Sequence, residues 1–174
     1  TQKLTINGDL VVTGKMTGAA EISSDIYGNT KAGTSALANP KAQTTISNVA
    51  IGDSALKYST GIANTAVGSK SLLKNSSGNG NTAIGNNTLS ANTSGNSNTV
   101  IGSGALMRNT TGNYNTVLGL GSMTNNITGD RNSAIGTYSL YKNTTGSRNT
   151  ALGDSSMQNN TTGSFNTATG YASL

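Results

Sequence analysis

Apolar positions along this chain are few, but they are phased. An aliphatic residue followed at once by Gly recurs every 17 residues, at Val67-Gly68, Ile84-Gly85, Ile101-Gly102, Leu118-Gly119, Ile135-Gly136 and Leu152-Gly153. Five residues after each aliphatic comes a second one: Leu72, Leu89, Leu106, Met123, Leu140 and Met157. Asn, Ser, Thr and Gly fill most of the remainder. A fixed period of this length marks a stacked array, in which each unit buries its apolar face only against its neighbours. With the Asn of Asn81-Thr-Ala-Ile-Gly as position 1, position 2 is Thr in most units, position 3 is Ala or Val, and position 5 is Gly. A small residue holds position 8, and a second Gly follows Asn-Thr-Thr or a close variant.

The pattern is not helical. Each unit carries two glycines and several Asn, Ser and Thr residues, which are poor in helix interiors. Asn-Thr-Ala-Ile predicts a short strand stopped by Gly, and the residues around position 9 predict a second. Asn-Thr-Thr-Gly is turn chemistry. Two strands and two turns per unit make one coil, so the expected fold is all-β: a parallel β-solenoid or β-roll of 17-residue coils. Successive coils pair strand on strand about 4.8 Å apart, stacking like residues in ladders.

Within a strand, positions 2 and 4 face one way and position 3 the other. Placing the larger aliphatics inside gives an expected core of Ile51, Val67, Ile84, Ile101, Leu118, Ile135 and Leu152, with Leu72, Leu89, Leu106, Met123, Leu140 and Met157. Position 3 then faces outward as a small, smooth surface: Ala66, Ala83, Val100, Val117, Ala134 and Ala151. Such a core is thin. Fixing each residue costs roughly 1–2 kcal/mol in backbone entropy, while a buried aliphatic returns about 1.5–3 kcal/mol. Association is expected to supply the rest, as a homotrimer closed through the position-3 face.

Three segments follow from the phasing. Residues 1–28 are an N-terminal β segment and connector, 29–47 a degenerate first repeat, and 48–174 the repeat array, with seven full units and a partial eighth. In the first, Leu4, Ile6, Leu10 and Val12 alternate with polar residues around an Asn7-Gly8 turn. The array stops at Leu174, in mid-coil. A spare strand at one end and an open coil at the other suggest a second arrangement, a filament joined head to tail through residues 4–14.

Composition narrows the chemistry. Charged residues are 10% and apolar residues 33%, against about 25% and 45–50% in ordinary domains. There is no Cys and no His, so disulfides, thiolate zinc sites and the common nucleophilic triads are excluded. Of the acids Asp9, Glu21, Asp25, Asp53, Asp130 and Asp154, Asp130 and Asp154 occupy different repeat positions and Asp53 lies six units before Asp154, so no catalytic pair or calcium loop is brought together. No enzyme activity, cofactor or metal is expected. The net charge of +5 comes from scattered residues, without the basic, aromatic-interleaved cluster of a nucleic-acid surface. No apolar run is long enough to insert in a membrane. Asn-x-Ser/Thr sequons at Asn75, Asn92, Asn109, Asn126, Asn143 and Asn160 follow the repeat, so turn formation explains them. One row invites a ligand: Tyr114, Arg131, Arg148 and Phe165 end successive units and would align at coil spacing, as a surface for a cell-surface glycan or other receptor.

Asn-Thr-Ala-Ile-Gly-x-x-x-Leu-x-x-Asn-Thr-Thr-Gly resembles repeats of bacteriophage tail fibres and related bacterial surface proteins. It is distantly similar to the head repeats of trimeric autotransporter adhesins. Ile6-Asn-Gly-Asp-Leu-Val-Val-Thr-Gly14 looks like the short shaft motifs that precede such arrays. The resemblance implies a trimeric, extended, β-rich fibre segment on a virion or cell surface, built for attachment.

Overall fold

The computed structural model describes residues 22–25, 27–39 and 45–174. Leu4, Ile6, Leu10 and Val12, the expected inter-subunit strand, lie outside them. Each Asn-Thr-Ala-Ile-Gly run forms one three-residue strand, ended by the Gly. In chain order, with β1 lying outside the repeat, the strands are β1 (Ile22–Ser24), β2 (Thr30–Ala32), β3 (Val49–Ile51), β4 (Thr65–Val67), β5 (Thr82–Ile84), β6 (Thr99–Ile101), β7 (Thr116–Leu118), β8 (Ser133–Ile135), β9 (Thr150–Leu152) and β10 (Thr167–Thr169). They make one sheet in sequence order. β1 pairs antiparallel with β2, and from β2 onward every pair is parallel. The register is that of the repeat: Thr82 lies against Thr99, Ala83 against Val100, Ile84 against Ile101. The chain is a β-solenoid of about 8 turns with 17-residue coils.

A coil contains one strand, not the two expected. Position 9 is left-handed, with φ of 52° at Leu89 and 49° at Leu106. Coil-to-coil bonding survives without an extended strand, because the Leu89 N–H donates to the Ala105 carbonyl at 3.0 Å. Left-handed residues such as Asn87 and Leu89 turn the chain while their N–H groups still reach neighbouring coils, and the N–H groups of Ala105 and Asn109 close the turn within the coil onto the Gly102 and Leu106 carbonyls.

The strand faces opposite to expectation. Ala50, Ala66, Ala83, Val100, Val117, Ala134 and Ala151 point into the coil and are essentially inaccessible. Ile51, Ile84, Ile101, Leu118, Ile135 and Leu152 point outward, at 38–46% exposure, and Val67 is half-buried on the same row. Hence the position-4 row is not core and the position-3 row is not an outer oligomer face. The reason is room. The closed coil already holds the position-9 side chain, and Leu72, Leu89, Leu106, Met123, Leu140 and Met157 are all buried. What remains beside the strand accepts a methyl or isopropyl group. Burying position 4 instead would also turn the polar position 2 inward with it.

The rest of the interior is polar, and it is fully bonded. Position-1 asparagines form a continuous ladder in which each side-chain oxygen accepts from the next coil. Asn81 N–H and Nδ2 donate to Asn64 Oδ1 at 3.0 and 3.3 Å, and Asn81 Nδ2 also reaches the Gly95 carbonyl at 2.8 Å. A second ladder runs through position 12, where Asn92 Nδ2 donates to Asn75 Oδ1 at 2.7 Å and to the same Gly95 carbonyl at 3.0 Å. Among the described residues no buried side-chain nitrogen or oxygen lacks a partner. The position-12 asparagines read in the sequence as turn residues and the position-1 asparagines as the start of the strand; both are core. The sequons therefore start at side chains that are buried and engaged, apart from Asn160, which is half-buried.

The ladder has a defined beginning. Asn48 N–H and Nδ2 donate to Asn29 Oδ1 at 2.9 and 3.1 Å, and Asn29 N–H and Nδ2 donate to the Asp25 carboxylate at 3.0–3.2 Å. Along this ladder every Asn-to-Asn bond is donated toward the N-terminus, so the run ends on a negative charge, which strengthens it.

Candidate functional site on the outer rows

With the interior filled, function falls to the rows of outward side chains. The first is the sheet face, with Thr at position 2 except for Val49 and Ser133, and Ile, Leu or Val at position 4 from β3 to β9. From β3 to β10, positions 2–4 carry no charged residue. The position-4 row is a contiguous aliphatic stripe along the solenoid. Sequence reasoning missed it because it judged the side by hydrophobicity alone.

The second row is the one expected to meet a ligand. The structure does bring Tyr114, Arg131, Arg148 and Phe165 together in one column, each left-handed with φ of 55–60°. Their N–H groups bond back to the preceding coil, Tyr114 to the Asn96 carbonyl at 3.0 Å and Arg148 to the Asp130 carbonyl at 2.9 Å. The residues just before them are zipped in the other direction. Asn96 N–H donates to Asn113 Oδ1 at 2.8 Å, and Asn113 N–H to Asp130 Oδ1 at 2.6 Å. Tyr114 and Phe165 are well exposed, but each ring already carries a guanidinium, Arg131 at 5.2 Å and Arg148 at 5.1 Å from the centroids. The arginines lean to opposite ends of the column. That separates two like charges on adjacent coils and places each in a cation–π pair.

A third row was not singled out from the sequence. Position 11 holds Lys74, Ala91, Arg108, Asn125, Lys142 and Asn159. Arg108 Nη1 donates to Asn125 Oδ1 at 3.2 Å, and Lys142 Nζ to Asn159 Oδ1 at 3.0 Å. The signal was available: comparing every second unit, not every unit, shows cations 34 residues apart.

Among the described residues no group of three or more His, Cys, Asp or Glu could hold a metal ion. No helix there is long and apolar enough to cross a membrane. No family model matches the chain, and no curated protein or solved structure matches it.

Proposed function

We propose that this chain is a non-enzymatic structural module, a stiff spacer in an extracellular or virion-surface fibre of the phage tail-fibre or bacterial adhesin kind, and that it assembles with copies of itself as a trimer through the Thr/Ile face. The observation that carries the reading is the outward aliphatic row at position 4. Single exposed aliphatics are ordinary, but a contiguous apolar stripe marks an interaction surface. This one runs coil after coil on a sheet face without charge, where an identical face could meet it in register. Two internal asparagine ladders favour rigidity, which a spacer needs. The repeat's resemblance to fibre proteins points the same way.

The test is the mass in solution over a dilution series, by light scattering, for the wild-type chain and for Ile84→Lys/Ile101→Lys. The expected result is a discrete mass of three chains for wild type and one for the variant, with the same circular dichroism. A wild-type chain that stays monomeric throughout overturns the trimer. Particles that lengthen with concentration would mark the head-to-tail filament instead.

A further inference from the structure

The cations of position 11 occupy alternate coils. Lys74, Arg108 and Lys142 are separated by 34 residues, two coils, and all three are exposed. The residue before each is apolar, Leu73, Met107 and Tyr141, and each is half-buried; in the intervening coils that place is polar. Inside the coil, position 3 does not follow this double period, running Ala66, Ala83, Val100, Val117, Ala134, Ala151, while position 9 joins it only from Leu106 on, with Met123 and Met157 in the intervening coils. At the edge the alternation is present throughout, from Leu73-Lys74 to Tyr141-Lys142.

Coils repeat at about 4.8 Å, so the cations stand about 9.6 Å apart in a line along the axis. Arg108 and Lys142 both lean one coil toward the C-terminus, onto Asn125 and Asn159. Because they lean the same way, the spacing of the heads is kept. No carboxylate interrupts the edge: in the array the acids sit at positions 6 and 16, as Asp53, Asp154 and Asp130.

We propose that this edge binds a linear anionic polysaccharide carrying one acid group per disaccharide, laid along the solenoid axis. The spacing of about 9.6 Å is close to the length of one disaccharide in an extended β-linked chain. Each acid would meet one cation, and the apolar face of a sugar ring would pack on Leu73, Met107 or Tyr141. A nucleic-acid strand places a charge on every nucleotide, about 3.4 Å of rise apart in a duplex, and would leave most of them unmatched here. The inference concerns a different row from the proposed trimer face and does not depend on association.

The experiment measures binding of the full chain to hyaluronate, with polygalacturonate, duplex DNA and neutral dextran as comparisons, at low and moderate salt. Wild type is expected to bind hyaluronate most tightly of the four, and less tightly as salt rises, because exposed charges are screened. Lys74→Gln/Arg108→Gln/Lys142→Gln should weaken hyaluronate binding at least about tenfold, the order expected from losing three exposed ion pairs. Arg108→Asn/Asn125→Arg keeps composition and net charge but moves the middle cation by one coil. It should lose most of the affinity as well. Circular dichroism verifies that each variant is folded, as exposed positions should allow. Equal binding by the relocated variant, tighter binding of polygalacturonate or DNA, or no hyaluronate binding by wild type overturns the proposal.

Discussion

Asn98 directs both its backbone N–H and its side-chain Nδ2 to a single acceptor, Oδ1 of Asn81, at 3.0 Å each. Its remaining side-chain proton goes to the Gly112 carbonyl at 2.9 Å, and its own oxygen accepts the same pair from Asn115. One side chain thus satisfies groups in three coils, all inaccessible to water. Asn98→Leu fits a hydrophobic residue into the interior but removes the acceptor of both the Asn115 N–H and its Nδ2, and leaves the Gly112 carbonyl with Asn109 Nδ2 as its one remaining side-chain donor. Each buried group left unpaired costs about 1–3 kcal/mol. A loss of about 2–5 kcal/mol is expected, read as a lower urea midpoint. A variant as stable as wild type would mean that the ladder is incidental to the fold.

Val100 and Ile101 are adjacent and face opposite sides. Val100 is inaccessible, whereas Ile101 is 39% exposed. Val100→Asp puts a carboxylate where no partner can reach it and should prevent stable folding, at a cost above about 4 kcal/mol. Ile101→Asp should leave the secondary structure intact and reduce self-association. Paired circular dichroism and light scattering of the two variants decide the matter. Unfolding by Ile101→Asp with tolerance of Val100→Asp would reverse the assignment of the sheet's faces.

That pair also shows where the sequence was legible. The 17-residue period, the glycines and the position-9 row could be read directly, because each is a constraint on one repeated position: Leu89 and Leu106 lie inside as their phasing implies. The side of the strand could not. A three-residue strand such as Thr99-Val100-Ile101 offers too little alternation to set its phase, and size argues for burying Ile. What decides is the volume left by Leu106 and the two asparagine ladders, a property of the closed coil and not of any window of sequence. Asn92 reads as a turn residue and Asn81 as the exposed start of a strand for a related reason. A single Asn prefers turns, and only stacking at identical positions supplies the partners that let it be buried.

Two glycines two residues apart should respond differently to the same change. At Gly102, with φ of +141°, an added Cβ would lie within 2.6 Å of the Gly119 carbonyl carbon and nearer still to its oxygen. Neither atom can withdraw, since both belong to the backbone of the next coil. At Gly104, with φ of +66°, an added Cβ meets nothing within 4 Å. Gly104→Ala should therefore cost only the left-handed penalty of about 1–2 kcal/mol. Gly102→Ala should cost clearly more, because it adds a steric clash between coils to an unfavourable φ. Thermal midpoints of both variants measure this, and equal shifts would sink the claim that coil stacking at position 5 excludes a side chain.

The charge at the head of the ladder makes a pH-dependent prediction. Partial desolvation pushes the Asp25 carboxyl up, but hydrogen bonds from the Asn29 side chain and backbone and from Tyr27 N–H, with Lys31 nearby, outweigh it and hold the group below its ordinary value. The folded state therefore binds protons at Asp25 less readily than the unfolded chain does. The stabilisation from Asp25 is complete above the unfolded carboxylate value of about 3.9 and is lost as pH falls through the lower folded value. Asp25→Asn keeps one acceptor oxygen for Asn29 but removes the charge. The difference in urea midpoint between wild type and this variant should be constant from neutral pH down to about pH 5 and shrink toward zero as pH falls through the lowered folded value. Taking the difference removes the contributions of the other carboxylates, which both proteins share. A difference that is flat across the whole range, or absent at neutral pH, would show that the ladder does not draw stability from the charge at its end.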